Sequence, residues 1–288
     1  MHRRAFLGAV AAGVAARAAS PLLAWSQAPS RAVKVGYCSG LANVAAAKAA
    51  GFDYIELGTT EIATMPDADF ERAAAEVARI GLPTPVSNLF LPASIRLTGP
   101  AIDRDQQLAY VRKAFERMQR LGTSVIVFGS GGARRFPEGF GHDEAFAQLV
   151  EFGKRIAPEA RARGITVAVE PLRQQECNII NTAGEGLRLV KAIDDPNFQL
   201  MIDFYHLASE REDPAIVLEA RDHIRHLHTA NPQGRVFPQD WSEFDYAPFF
   251  ANLRRIDYSA RISIEASTKS LADEAPRAIA LLRRAFVP

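Results

Sequence analysis

Ile165-Thr-Val-Ala-Val-Glu170 is a run whose two faces differ in kind. Side chains alternate across an extended strand. The β-branched Ile165, Val167 and Val169 therefore share one face, and Thr166, Ala168 and Glu170 share the other. The pattern recurs three times downstream. In Gln199-Leu-Met-Ile-Asp203, Leu200 and Ile202 oppose Asp203. In Ile224-Arg-His-Leu-His228, Leu227 opposes His226 and His228. In Arg261-Ile-Ser-Ile-Glu265, Ile262 and Ile264 oppose Glu265. Four strands thus each end on an acid or an imidazole of the same parity.

Upstream, four more short apolar runs read as strands: Val33–Tyr37, Tyr54–Leu57, Thr84–Leu89 and Ser124–Phe128. The downstream four span Ile165–Glu170, Phe198–Asp203, Ile224–Thr229 and Arg261–Glu265. Amphipathic runs lie between them: Asp69–Ile80, Asp105–Leu121, Asp143–Arg163, Gly184–Ile193, Ala215–Arg221, Ala247–Arg255 and Ala272–Phe286. Gly51, Gly81, Gly122 and Gly164 stand where a glycine ends a helix before the next strand. Eight strand–helix pairs without a linker predict an α/β chain, a single (β/α)8 barrel over residues 29–288. A doubly wound open sheet is the alternative, and no G-x-G-x-x-G follows the first strand to support it. In a barrel, one strand parity faces the axis, and active sites form at the strands' C-terminal ends.

Residues 1–28 are of a different character. Arg3-Arg4-Ala-Phe-Leu leads into an Ala/Val/Gly-rich run, then Pro21-Leu-Leu-Ala24 and Ser26-Gln-Ala28. A basic start, a short apolar stretch and a small-residue exit describe a signal peptide. The arginine pair resembles a twin-arginine export signal, although His2 precedes it and Arg17 interrupts the apolar run. That run is shorter than the roughly 20 residues of a membrane span, so export to the periplasm is expected rather than a stable anchor. The formal charge of +1 gives no bulk attraction to nucleic acid or acidic lipid. Two cysteines, Cys38 and Cys177, cannot make a disulfide scaffold and read as buried or idle thiols.

Three carboxylates and a histidine converging on one axis repel each other unless a cation sits among them. Glu170, Asp203, His228 and Glu265 therefore predict one divalent ion. Their oxygen-rich donor set suits Mn²⁺ first, with Mg²⁺, Co²⁺ or Zn²⁺ as alternatives. The competing reading is a salt-bridged cluster without metal. Few Lys or Arg occupy inward parity, however, and Arg261 lies at the far end of its strand.

Glu170-Pro-Leu-Arg-Gln-Gln-Glu176, Asp203-Phe-Tyr-His206, His226-Leu-His228 and Ser263-Ile-Glu265 together resemble the sugar epimerase branch of the xylose-isomerase-like TIM-barrel superfamily, ketose 3-epimerases above all. The resemblance implies that Glu170, Asp203, His228 and Glu265 bind the metal. It implies that Glu176, His206 and Arg235 contact the substrate, Arg235 from a loop of different length. Glu170 and Glu265 would be the catalytic acid/base pair, exchanging a proton beside a carbonyl through an enediolate. The expected partner is a small sugar or glycoside, bound by a monomer or a homo-oligomer. The same chemistry permits a lyase or dehydratase that eliminates from keto-sugars, keto-glycosides or inososes. More distant alternatives are an abasic-site endonuclease, which needs more histidines and a basic groove, and a non-catalytic sugar-binding protein.

Weaker signals have two readings each. Glu56 ends the second strand at inward parity, to contact substrate or to pair with a group behind the site. Asn88 and Phe90 close the third strand, and Phe90 is placed to wall the pocket. Phe128-Gly-Ser-Gly-Gly-Ala-Arg-Arg135 reads as an anion-binding loop or as a flexible loop with solvated arginines. Phe237-Pro-Gln-Asp-Trp241 reads as a lid or as a packed loop. The export reading is testable directly. Replacing Arg3 and Arg4 with Lys should leave precursor in the cytoplasm, seen by fractionation and immunoblotting, and normal export of the double variant contradicts it.

Overall fold

The computed structural model describes residues 33–287. The expected signal segment, residues 1–28, lies outside the described residues. Eight parallel strands close into one barrel in the order β1 to β8. They are β1 Lys34–Cys38, β2 Tyr54–Gly58, β3 Val86–Asn88, β4 Val125–Phe128, β5 Thr166–Val169, β6 Phe198–Asp203, β7 Ile224–Thr229 and β8 Arg261–Ile264. Closure runs through β1 and β8, with Tyr37 opposite Ile264. The helices are α1 Val44–Ala49, α2 Thr59–Thr64, α3 Asp67–Ile80, α4 Arg104–Arg120, α5 Gly131–Arg134, α6 His142–Arg161, α7 Ala183–Ile193, α8 Phe204–Ser209, α9 Ile216–Glu219, α10 Ala247–Arg255 and α11 Leu271–Ala285.

The single closed barrel expected from the alternating pattern is what forms. Strand three is shorter than its apolar run. Pro83 and Pro85 carry no N–H, so Thr84 and its neighbours cannot join a ladder and pairing starts at Val86. Ile55 N–H and Val125 N–H instead donate to the Pro83 and Pro85 carbonyls. The helix-ending glycines behave as read. Gly81, at φ 71°, caps α3 by donating to the Val77 carbonyl, and Gly51, Gly122 and Gly164 also have positive φ.

Side chains of one parity fill the layer between sheet and helices. Phe128 of β4 is its hub, with Phe90, Phe152 and Phe198 rings at 5.9, 5.8 and 6.2 Å. Phe90 also stacks on Phe115 of α4 at 5.4 Å and is fully buried. It therefore packs behind the sheet and does not wall a pocket, contrary to expectation. The other parity packs inside the barrel, where Tyr54, Val86, Val125, Val127, Ala168 and Met201 form a small cluster. This plug closes the barrel below the strand ends, so the inward residues above it, the acids among them, face a cleft.

Gly36 of β1 faces this interior, and a Cβ there would collide with the Tyr54 ring. The ring is fixed by a 2.8 Å hydrogen bond between Tyr54 Oη and Ser263 Oγ. Gly36→Val should therefore lower the unfolding free energy by about 1–3 kcal/mol, the usual cost of overpacking. A urea melt of the variant checks this, and an unchanged midpoint means that the interior is loosely packed.

Candidate active site

The four acid- and imidazole-bearing strand ends meet at one mouth of the barrel. Glu170 and Glu265 stand one residue beyond β5 and β8, Asp203 closes β6, and His228 lies within β7. Local structure sets each in place. Asp203 caps α8 by accepting from Tyr205 N–H through Oδ1 at 2.9 Å, which leaves Oδ2 directed at the cleft. Glu170 has its carbonyl held by Arg134 Nη1 at 2.9 Å. Gly129 leaves the space for its carboxylate, since a Cβ there would collide with Glu170 Oε2. Glu265 accepts from Asn88 Nδ2 at 3.2 Å through Oε1.

Ligand-capable atoms of Glu170, Asp203, His206 and Glu265 all lie within 4.8 Å of one another. His228 Nδ1 is 3.4 Å from Glu170 Oε1 and 3.5 Å from Glu265 Oε2. Two histidines therefore border the cluster, and their hydrogen bonds assign them different parts. His206 Nδ1 accepts from Arg173 N–H at 3.3 Å, so the neutral ring carries its proton on Nε2 and presents a donor. His228 has Nε2 2.9 Å from Glu56 Oε1 and donates there, so its neutral tautomer turns the Nδ1 lone pair to the acids. His228 is the one equipped to ligate a cation.

Four buried atoms at this point have no hydrogen-bond partner: Glu170 Oε1, Asp203 Oδ2, His206 Nε2 and His228 Nδ1. Buried polar atoms are rarely left so, and four orphans sharing one spot fit a cation and a polar ligand. Three carboxylates with one imidazole also match the donor preference of a divalent first-row or hard cation. The residues thus fit one divalent metal ion.

Charge balance describes the same point. Burial pushes Asp203 up to about 7, with Glu265 and Glu170 adding to the rise. Burial and the neighbouring Glu265 also raise Glu170. Burial works upward on Glu265 too, yet His228 and Arg235 hold it down at about 2. Burial opposes the charged form of His228, but Glu56 raises it well above its ordinary range. Burial, then Arg235, lowers His206 to about 3, so it is neutral. In the protein alone, the acids are balanced by protons, including the one His228 holds, and by Arg235, which a metal ion would displace or join.

Arg235 is the cation that the strand-parity reading lacked. It comes from the loop after β7, at φ 49°, and its guanidinium bonds Glu265 Oε2. It lies 3.7 Å from Asp203 Oδ2, 3.5 Å from Glu176 Oε1 and 4.5 Å over the Tyr205 ring. Glu176 also accepts from Arg173 Nε at 2.7 Å, and its Oε2 is 4.0 Å from His206 Nε2. Glu176, His206 and Arg235 therefore gather on one flank of the acid cluster, where a sugar's hydroxyls would lie. Asn88 borders the other flank.

Glu56 does not reach the cleft. It is fully buried beneath His228, and its oxygens accept from His228 Nε2 and His226 Nε2 at 2.9 Å and from Ser263 Oγ at 2.6 Å. With both oxygens engaged, it has nothing to offer a substrate, so of the two readings the substrate contact is corrected and the pairing behind the site stands: Glu56 orients His228. Arg134 is likewise neither anion-binding nor solvated. It is fully buried in the short helix α5 and holds the carbonyls of Phe128 and Glu170. Trp241 packs on Tyr246 and Phe250 at 5.5 and 5.3 Å, on the α10 side away from the acids, as a packed loop would. Cys38 is not idle in position. Its Sγ sits 3.6 Å from His228 Nε2, at the cleft wall. The signal was available, because Cys38 shares the inward parity of Gly36 two residues earlier.

Residues 44–285 match the family described as xylose isomerase-like TIM barrel, and the chain belongs to that family. Within it, the chain is 29% identical over 240 residues to an L-ribulose 3-epimerase of Methylomonas sp., covering 80% of this chain and 79% of that protein. It is 28% identical over 120 residues to a 3-dehydro-D-guloside 4-epimerase of Escherichia coli, covering 41% of this chain and 45% of the relative. The crystal structure of D-allulose 3-epimerase from Methylomonas sp. in complex with D-allulose superposes with a TM-score of 0.77. It is 25% identical and covers 89% of this chain and 98% of its own.

Glu56 gives the site its sharpest internal test. Removing a carboxylate that orients a ligating histidine typically costs 10- to 100-fold in metal affinity. Glu56→Gln should weaken Mn²⁺ binding by roughly that factor in calorimetric titration. Unchanged affinity would mean that His228 needs no such support or is no ligand.

Proposed function

We propose that this protein is a divalent-metal-dependent epimerase that inverts the carbon next to the ketone of a sugar. The observation that carries the reading is the meeting of Glu170, Asp203, Glu265 and His228 Nδ1, with orphaned inner atoms, at the mouth of the barrel. The relatives support it. An L-ribulose 3-epimerase and a 3-dehydro-D-guloside 4-epimerase share one step, inversion of a carbon adjacent to a carbonyl. Their common chemistry favours epimerisation over the eliminating lyase.

Glu170, Asp203, His228 and Glu265 would hold the metal, Mn²⁺ by preference of the donor set. A bound ion there would supply Lewis acidity to the substrate carbonyl and to the negative charge that develops on its oxygen. The remaining work belongs to side chains. Glu170 and Glu265 rise from strands three steps apart in the ring and approach the reacting carbon from different sides. One takes the proton, and the other returns a proton to the opposite face. His206 donates Nε2–H to a substrate oxygen, while Glu176 and Arg235 fix neighbouring hydroxyls. A metal-bound imidazole has no spare lone pair, and the second oxygen of Asp203 is taken by Tyr205 N–H, so His228 and Asp203 serve the metal alone. The twin-arginine-like leader, with Arg3 and Arg4, supports action in the periplasm on an unphosphorylated sugar.

The division of labour can be measured by deuterium wash-in from D₂O into D-allulose or L-ribulose. Glu170→Gln and Glu265→Gln should each lower exchange by roughly 10²–10⁴-fold, without rescue by excess Mn²⁺. His228→Gln should be partly rescued by excess Mn²⁺. Equal rescue of all three variants would make the glutamates ligands only and move the base elsewhere.

A further inference from the structure

The cleft above the acids has two lobes divided by a ridge of Leu89, Arg235 and Glu265. One lobe, about 370 Å³, holds Glu170 and Glu176 as well. The other, about 510 Å³, extends over Ser39, Gly40, Gly58, Glu61 and Ser267. A six-carbon sugar has roughly twelve non-hydrogen atoms. Even at the ~30 Å³ that each water takes in the liquid, it fills no more than on the order of 360 Å³. The smaller lobe therefore has room for the reacting ring by itself, and the larger lobe, which shares Glu265 with it and adds Asn88 and Cys38, offers room beyond that ring.

The glycines of the two lobes differ in their cause. In the reacting lobe, a Cβ on Gly129 would collide with Glu170, and one on Gly131 would come within 2.7 Å of the Glu176 carbonyl oxygen. Those glycines are required to build the site. In the larger lobe, Gly40 and Gly58 have φ of −79° and −70°, which any residue adopts. A Cβ on either would make only ordinary contacts, 3.5 Å to Glu61 Oε2 and 3.5 Å to Leu89 Cδ1 respectively. Neither backbone nor packing requires glycine there; Gly58 is buried at the end of β2, while the partly exposed Gly40 borders the open cleft.

The ridge is also held deliberately. Leu89 has φ 49°, a strained value for a leucine, and the residue is 59% exposed. Thr60 keeps it there by donating both its N–H and its Oγ1 to the Leu89 carbonyl at 3.1 and 2.6 Å. Glu61 makes no ion pair among the described residues, so its carboxylate is free to accept from hydroxyls in the larger lobe.

We propose that the substrate is a keto-sugar carrying a second sugar, a keto-disaccharide or similar keto-glycoside, whose second ring occupies the lobe of Gly40, Gly58 and Glu61. The inference rests on the epimerase reading above and narrows its substrate class. Leu89 presents an apolar edge to the C–H face of the sugar at the junction, and Glu61 binds hydroxyls of the second ring. The reaction needs no added reagent: one C–H bond breaks beside the ketone, a carboxylate takes the proton, the electron pair passes to the carbonyl oxygen as an enediolate, and the opposite carboxyl group delivers a proton as the C–H bond re-forms on the other face.

The test compares deuterium wash-in from D₂O, catalysed by Mn²⁺-loaded enzyme, into D-allulose, a methyl 3-keto-glucoside and a 3-keto-disaccharide. The 3-keto-disaccharide should exceed the other two in kcat/KM by tenfold or more. Gly40→Leu should reduce that preference at least tenfold. Glu61→Gln, at an exposed position that does not endanger folding, should reduce it several-fold. Equal or faster exchange into D-allulose by the wild-type enzyme overturns the second-ring lobe while leaving the epimerase reading standing. A preference unmoved by both variants overturns the lobe as well. Exchange into none of the three substrates overturns the epimerase reading and this inference with it.

Discussion

Everything at the mouth of this barrel is arranged around the cost of burying Glu170, Asp203 and Glu265 against one another. Carboxylates are rarely buried without partners, and these have ligand atoms within 4.8 Å of each other and of His206. Without a divalent ion, the protein meets the cost with protons and one guanidinium. Asp203 is pushed up to about 7, chiefly by burial, and Arg235 bridges the rim between Glu265 and Glu176. That balance is incomplete, because Glu170 Oε1 and Asp203 Oδ2 remain without hydrogen-bond donors. Unpartnered carboxylate oxygens gathered in this way favour a cation among them.

Below the acids, a second device fixes the geometry. Glu56, fully buried, accepts from His226, His228 and Ser263, and Ser263 in turn bonds the Tyr54 hydroxyl. The chain of contacts runs from the packed interior of the barrel up to the ligating face of His228. It sets the tautomer of that ring, which sequence motifs cannot specify. His206 is set oppositely by a backbone N–H, so two histidines bordering one cluster take different duties. With a metal bound, one would offer it a lone pair, and the other would offer a proton to a substrate oxygen.

Much of this was legible in the sequence because strand parity is a short-range property. A one-residue alternation places Glu170, Asp203, His228 and Glu265 on the barrel axis whatever the loops do. The eight-fold strand–helix alternation made the fold legible in the same way. What escaped depends on contacts distant in sequence. Glu56 and His228 are 172 residues apart, so the burial of Glu56 under His228 emerges only on barrel closure. Arg235 was reached only through the family resemblance, because it enters from a loop, where no periodicity constrains direction. Arg134 looked solvated because a flexible glycine-rich loop and the short helix α5 have the same composition. Phe90 follows an inward Asn88 by two residues but leaves the strand at Leu89, whose positive φ breaks the alternation.

The central claim is that Glu170, Asp203, His228 and Glu265 hold a single divalent ion, with His206 left to the substrate. Anomalous diffraction at the manganese edge from crystals grown with Mn²⁺ tests it most directly. The account predicts one peak, roughly 2.0–2.4 Å from a carboxylate oxygen of each of the three acids and from His228 Nδ1. No peak at the barrel mouth, or a peak bound by His206 Nε2 in place of His228 Nδ1, would contradict it.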